Sequence, residues 1–268
     1  MTTPVLPINS AQKVCAILRV LSADAPMRLT AIATAAALNK VTTFRILDTL
    51  CQEGFVTRAS DGKRYELGPE TFAMAGAKRQ SANIVELARP SLITLAAQTG
   101  DTVLFGVRSG VEVVYLDREV GDFPIQANYL RVGSRRPLGV GAGGLALLAW
   151  LPEREIEAVI PAIAPRLQRH PRITLAYIRS EIAAAGARGA VVMFDLIVDR
   201  MGGIAVPVRT VRGDVLGVLS LVGLTDRLRE REPMLIAALR READAVVRAA
   251  GVAPETGTGG PALARAGR

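Results

Sequence analysis

Residues 29–68 read LTAIATAAALNKVTTFRILDTLCQEGFVTRASDGKRYELG, and the hydrophobic period changes partway along them. Thr30 is placed to cap an Ala-rich stretch over residues 31–37, about two helical turns long. Leu38 and Asn39 interrupt it, and a further helix is predicted over residues 40–52. There Thr43, Ile46, Leu47 and Leu50 recur at the i, i+3, i+4, i+7 spacing of one buried face. The opposite face carries Lys40, Val41, Phe44, Arg45 and Asp48, with Thr42 at its shoulder. A surface helix with only solvent to meet has little use for Val41 and Phe44 on its outer side. After Gly54 the period becomes two. Phe55 and Val56, the turn Ala59-Ser60-Asp61-Gly62, then Tyr65 and Leu67 read as a β-hairpin.

Upstream, Ser10 reads as the N-cap of a helix whose Val14, Ile17, Leu18 and Leu21 form an apolar stripe, closed by Asp24-Ala25-Pro26. Helices followed by a hairpin in so short a span make a winged helix-turn-helix, expected over residues 8–68. Its predicted partner is double-stranded operator DNA. A helix of this width fits the major groove, where Arg45 can donate a bidentate pair to guanine and Thr42 can donate to a base edge. Val41 and Phe44 can cover thymine methyls. Lys40 at the helix start and Arg58, Lys63 and Arg64 on the wing are expected on phosphates.

Outward from that module the texture changes. Residues 69–99, opening on Pro69, read as one or two helices with Ile84, Leu87, Leu92 and Leu95 on one side and a kink or break at Pro90. They are expected to connect two domains and to dimerise the chain. Extended runs follow at 102–107 and 111–116 around Arg108-Ser109-Gly110, then a Gly/Pro-rich crossing over 132–144. Helices are predicted at 145–150, 153–160 and 174–185, the last capped by Gly186, with a Pro-rich loop at 161–171. Runs at 190–198, 203–208 and 215–222 and a helix at 231–249 complete an α+β domain, expected over 80–250. Residues 251–268 read as a disordered tail.

Composition bounds the function. The 268 residues, 50% hydrophobic and 22% charged, suffice for two domains. No apolar stretch reaches the roughly 18–20 residues of a membrane span, and the N-terminus lacks the pattern of a secretory signal. Two cysteines, Cys15 and Cys51, make neither a disulfide scaffold nor a metal spacing, so a reducing cytoplasm is expected. One histidine, His170, leaves a zinc site without ligands. No catalytic, metal or cofactor motif is present, and Asp195 and Asp199 read as structural. The net charge of +8 permits nucleic acid without demanding it: residues 1–70 hold eight Lys/Arg against six Asp/Glu.

The order of these segments resembles the IclR-type bacterial transcriptional regulators. The first domain carries the likeness in SAQKVCAILRVL, LTAIATAAALNKVTTFRILDTLCQEGFV and YELG. That family usually has Ser-Thr before an Arg-x-Leu-x-x-Leu run; here Val41-Thr42 precede Arg45, Leu47 and Leu50. The second carries it in TGDTVLFGVRSGVEVVYLDR, VGSRRPLGVGAGGLALLAWLP and GGIAVPVRTVRGDVLGVLSLVG. The family's middle motif, Pro-Leu-His-x-Thr-Ala-x-Gly-Lys, survives as Pro137, Leu138, Ala142 and Gly144. Gly139, Gly141 and Leu145 replace its His, Thr and Lys.

The resemblance implies a winged helix joined by a helical linker to a GAF-like effector-binding domain, and dimers that can pair into tetramers. It also implies a small-molecule effector held against the second-domain sheet by Leu138, Gly141, Ala142, Met201, Gly203, Ser220 and Val222. With Gly139, Gly141 and Leu145 offering no side-chain hydrogen bonds, the cavity is expected to be roomy and weakly polar, suited to an apolar or aromatic carboxylic acid. Ser220 or a backbone N–H in the glycine run would hold the polar end, and Arg108, Arg118, Arg131, Arg135 or Arg136 could neutralise the charge. Two other readings compete: a constitutive DNA-binding protein with an inert second domain, and a nucleotide-dependent oxidoreductase using the G-x-G-x-x-G run at residues 139–144. The glycine run follows no buried strand of a βαβ unit, which argues against the last.

Overall fold

The computed structural model describes residues 9–78 and 84–251, so residue 8, the middle of the expected linker and the expected tail beyond Gly251 lie outside it. The chain divides into two compact units, Met1–Ser81 and Ala82–Arg268.

In the first unit the elements are α1 (Ser10–Asp24), β1 (Met27–Arg28), α2 (Leu29–Ala35), α3 (Lys40–Gln52), β2 (Val56–Arg58), β3 (Arg64–Leu67) and α4 (Pro69–Lys78). The cap of α1 is Asn9 rather than Ser10. Asn9 Oδ1 accepts from the Gln12 N–H at 2.9 Å while Gln12 Oε1 accepts from the Asn9 N–H at 2.8 Å. The glutamine three residues on selects Asn9, because only that spacing closes both bonds. Thr30 likewise lies inside α2 rather than capping it. Met27 and Arg28 are drawn into a ladder opposite Tyr65 and Arg64, and the helix starts immediately after. The sheet order is β1-β3-β2, so the hairpin gains a third strand absent from the sequence reading. Ile17, Leu21, Ile32, Leu47, Leu50, Val56 and Tyr65 fill the core between helices and hairpin.

The second unit runs α5 (Ile84–Thr99), β4 (Thr102–Ser109), β5 (Glu112–Glu119), β6 (Arg135–Pro137), α6 (Ala142–Ala149) and α7 (Glu153–Ile163). After a 3-10 turn at Ala164–Arg169 come α8 (Leu175–Arg188), β7 (Val191–Phe194), β8 (Met201–Arg209), β9 (Val215–Leu224), α9 (Thr225–Glu230) and α10 (Glu232–Ala249). One antiparallel sheet of order β6-β5-β4-β9-β8-β7 separates two helical layers. Strand alternation assigns residues to the layers. Leu104, Val113, Tyr115, Ala205, Val218 and Val222 face α6, α7 and α8. Val103, Phe105, Ile204, Val206, Leu219 and Leu221 face α5, α9 and α10.

Several boundaries differ from the sequence reading for local reasons. The crossing at 132–144 holds the edge strand β6, where Pro137 is tolerated, and the first turn of α6. Pro90 and Pro161 sit inside α5 and α7 rather than ending them. In α5 the buried run Ala88, Leu92, Leu95 and Ala96 continues across the proline, so this helix is part of the second unit's core. The run expected to 198 stops at Phe194. Asp195 turns into the left-handed region at φ 59° and donates its N–H to the Met201 carbonyl. Gly189, at φ 63°, closes α8, while Gly186 is buried inside that helix.

Candidate functional site

Two places concentrate unspent chemistry. The first is the outer face of α3. Asn39 Oδ1 accepts the Thr42 N–H at 2.8 Å, and the Thr43 hydroxyl donates to the Asn39 carbonyl at 2.9 Å, so Thr43 is buried without an unmet polar group. That cap fixes the phase of the helix. Lys40, Val41, Phe44 and Arg45 are exposed, Val41 by 71% and Phe44 by 45%, and Thr42 is half-buried. Lys40 and Arg45 have no side-chain partner among the described residues.

On the wing, the three expected cations are not equivalent. Arg64 Nε donates to Asp61 Oδ2 at 2.6 Å. Arg58 donates to the Gly62 carbonyl at 3.0 Å and lies over the Tyr65 ring at 5.1 Å. Only Lys63 keeps its ammonium free of partners among the described residues. The Lys63 N–H and the Arg64 guanidinium hold the Asp61 carboxyl below the ordinary aspartate range. Asp61 therefore offsets one of the wing's three positive charges.

The second place is a cleft where α6 starts above the middle of the second-unit sheet. Gly141 is the N-cap of α6 at φ 80°, a conformation side chains disfavour. Six of the expected residues, Gly141, Ala142, Met201, Gly203, Ser220 and Val222, line this cleft. Leu138 does not. Gly139 turns the chain at φ 90°, leaving Leu138 fully buried in the core. A β-carbon at Gly139 would lie 2.8 Å from Ile178 Cδ1, and Leu145 is buried in the same core. Of the three altered motif positions, only Gly141 reaches the cleft.

Most of the lining is apolar, and its polar side chains come mainly from outside the middle motif. Tyr115 from β5, Tyr129 and Leu130 from the loop before β6, and Arg136 from β6 all line the cleft, together with Leu196, Ile197 and Val198 after β7. Burial pushes the Tyr115 hydroxyl up to about 12 and raises that of Tyr129, with Arg136 partly opposing both. Both phenols are therefore neutral donors at physiological pH. The five candidate arginines separate clearly. Arg108 pairs with Glu155 at 2.6 Å, Arg135 with Glu112 at 3.1 Å, and Arg118 donates to Asn128 at 3.2 Å. Arg131 is exposed and does not line the cleft. Arg136 is half-buried, has no carboxylate partner among the described residues, and lies over the Tyr129 ring at 5.4 Å. A β-carbon at Gly141 would sit 3.4 Å from Arg136 Nη1, which puts the guanidinium beside the start of α6.

The free volume is about 30 Å³, enough for a water-sized occupant. Tyr115 was legible as the inward residue of the alternating run Val113-Val114-Tyr115; nothing in the sequence distinguished Arg136 from its neighbour Arg135. The glycine run at 139–144 leads from the edge strand β6 into α6, and the strand pairs of this unit's sheet are antiparallel among the described residues, so the run lacks the βαβ setting of a dinucleotide site.

Family comparison agrees with both units. A model described as "IclR helix-turn-helix domain" matches residues 10–60, and one described as "Bacterial transcriptional regulator IclR C-terminal" matches residues 77–248. The chain belongs to the IclR family of bacterial transcriptional regulators. It is 30% identical over 253 residues to the glycerol operon regulatory protein of Streptomyces coelicolor, covering 90% of this chain and 96% of that protein. It is 28% identical over 229 residues to the regulator XynR of Escherichia coli, covering 84% and 90%. Among solved structures, an IclR homolog from Microbacterium hydrocarbonoxydans complexed with 4-hydroxybenzoate aligns with a TM-score of 0.73 at 25% identity, covering 89% and 98%. IclR proteins regulate transcription and are not enzymes, so the oxidoreductase alternative is set aside. No helix among the described residues is long and apolar enough to cross a membrane.

Proposed function

We propose that this chain is a cytoplasmic regulator that reads operator DNA with the outer face of α3 and releases or tightens its hold when a small carboxylic acid binds the α6 cleft. The observation that carries the effector reading is Arg136 beside Gly141. A guanidinium without a carboxylate partner meets the first turn of a helix, where backbone N–H groups and the helix dipole also favour an anion. The apolar side chains of Leu130, Met193, Ile197 and Met201 suit the body of an aromatic or branched acid. The related protein bound to 4-hydroxybenzoate supports this ligand class. A cleft with a guanidinium that lacks a carboxylate partner among the described residues also argues against an inert second domain.

On α3, Arg45 and Thr42 read base edges while Val41 and Phe44 contact thymine methyls. Lys40 and Lys63 grip phosphates, and Arg58 and Arg64 do so once they let go of the wing tip. One winged helix makes few phosphate contacts, so a homodimer on two half-sites is part of the proposal, with pairing of dimers beyond it. Phe72 and Met74, 72% and 62% exposed on α4, supply an apolar patch for that association.

Electrophoretic shifts with fragments flanking the gene, repeated with a panel of aromatic, aliphatic and sugar acids, test the reading. Binding that changes with an aromatic or branched acid supports it; binding indifferent to every acid favours the constitutive alternative. Sedimentation showing only a 28.4 kDa species with and without DNA would remove the dimer.

A further inference from the structure

The far end of α6 borders a larger hollow. The helix opens at the cleft with Gly141 as its N-cap and closes on Trp150 as its C-cap, so its eight residues hold the two places about 12 Å apart. The free volume at the Trp150 end is about 300 Å³, ten times that of the cleft. That is the lower end of the range of small-molecule sites, about 300–1,000 Å³. Leu147, Trp150 and Leu151 supply apolar lining, and Arg108, Glu155 and Asp214 supply the charges. Four separate segments meet here: the end of β4, the end of α6, the start of α7 and the turn between β8 and β9.

The charges do not cancel. Arg108 is spent: Nη1 donates to Glu155 Oε2 at 2.6 Å and Nε to the Gly110 carbonyl at 2.9 Å. Asp214 has no cationic partner among the described residues. The turn holds it in place, with the Thr210 N–H donating to its carbonyl at 3.1 Å and its own N–H donating to Thr210 Oγ1 at 3.3 Å. The Thr210 hydroxyl reaches Asp214 Oδ2 only at 3.5 Å, the limit of a hydrogen bond, so the carboxylate keeps most of its accepting capacity. Arg209 Nη2 comes near the same turn, 3.5 Å from where a β-carbon of Gly213 would stand, without lining the hollow. The end of α6 adds to the negative side, since its last turn carries no basic residue and the final carbonyls of a helix lack partners within it. The positive start of α7 is met by its own Glu153 and Glu155. An indole is also the best aromatic partner for a cation. We propose that this hollow is a second ligand site, one that takes a compact organic cation: an amine on an aromatic or short branched body. The amine sits between Asp214 and the end of α6, and the body lies on the Leu147, Trp150 and Leu151 side chains. An anion would meet like charge there, and a neutral molecule of the same shape would gain the apolar contacts alone. The proposal does not depend on what the Gly141 end binds.

Trp150 is the only tryptophan and lines the hollow, so its emission reports occupancy directly. Phenethylamine and 2-phenylethanol, titrated into the full-length protein by calorimetry and by Trp150 emission, separate charge from shape. The amine is expected to change the emission and to bind about tenfold or more tightly than the alcohol. Asp214→Asn should bring the two within about threefold of each other. Asp214→Lys places a cation of the chain's own at the hollow and should abolish amine binding. Both changes fall on an exposed side chain of a turn, and circular dichroism with the urea midpoint verifies that the variants fold. Equal affinities for amine and alcohol in the wild type, or a preference kept in Asp214→Asn, overturns the inference. So does the absence of both heat and emission change at millimolar amine.

Discussion

The Thr225 hydroxyl donates to Asp195 Oδ1 at 2.8 Å, tying the first residue of α9 to the turn that leads into the 196–198 wall of the cleft. The bond is partly shielded, with Thr225 3% exposed and Asp195 half-buried. Arg172 braces the same turn by donating to the Asp195 carbonyl at 2.7 Å and pairing with Asp199. A wall of the cleft is thus fastened to an element of the opposite helical layer.

Replacing Thr225 with valine keeps the shape and removes the donor. The second unit should lose about 1–2 kcal/mol, as expected for a partly shielded hydrogen bond to a carboxylate. Urea unfolding followed by Trp150, the only tryptophan and part of the second unit's core, reads this unit alone. A loss no larger than the error of the fit would show that Arg172 holds the turn by itself.

Asp101 is a more consequential anchor. Its side chain is fully buried, Arg231 Nη2 donates to it at 2.6 Å and Arg227 Nε approaches at 3.6 Å. Those arginines also donate to the Thr99 carbonyl at 3.0 and 3.2 Å, joining the end of α5 to α9 and α10. Asp101→Ala strands two partly buried cations and should cost about 3–5 kcal/mol in the same unfolding experiment. A loss below about 1 kcal/mol would mean that water compensates the arginines without the carboxylate.

On DNA, Arg45→Ala should reduce affinity for the operator by about 1–3 kcal/mol per half-site while sparing scrambled duplex. Lys63→Ala should weaken both duplexes alike and make the dependence on salt shallower by about one unit of slope. Arg64→Ala should do less than Lys63→Ala, because Arg64 is already paired with Asp61. Titrations at several salt concentrations separate these patterns. Equal losses on both duplexes for Arg45→Ala would reduce it to a phosphate clamp.

These contrasts show where the sequence was informative. Helix α3 was legible because Thr43, Ile46, Leu47 and Leu50 fix one phase by their spacing; Asn39, read only as an interruption, proves to be its cap. Strand β1 was not: two residues carry no period, and their pairing with Tyr65 and Arg64 is a tertiary event. In the second unit the two-residue alternation of β9 placed Ser220 and Val222 on one face. The middle motif misled at Leu138, Gly139 and Leu145, since the positive φ values at Gly139 and Gly141 re-aim the chain before α6 and leave no mark in the hydrophobic pattern. Which arginine of five lacks an acid is likewise fixed only by distant carboxylates such as Glu112 and Glu155.

His170, the single histidine, should titrate low. Burial, then the charges of Arg136 and Arg169, hold its imidazole below the usual histidine value of 6.5. The unfolded chain then binds the proton more readily. The contribution of His170 to stability is therefore complete above about pH 6.5 and is lost as the pH falls through its folded value. A proton NMR titration of the lone imidazole resonance measures this directly. A midpoint at or above 6.5 would contradict the burial of His170 beside these arginines.

The central claim is that an acid at Arg136 alters the grip of the chain on DNA. The direct measurement is fluorescence anisotropy of an operator duplex, selected from a random pool by the wild-type protein, titrated with and without a saturating acid chosen by calorimetry. The account predicts a change in Kd of about fivefold or more for the wild type. It predicts no change for Arg136→Gln at the same acid concentration, with operator affinity in the absence of acid preserved. An operator Kd that stays the same when calorimetry shows the cleft filled, or a full response in Arg136→Gln, would contradict it.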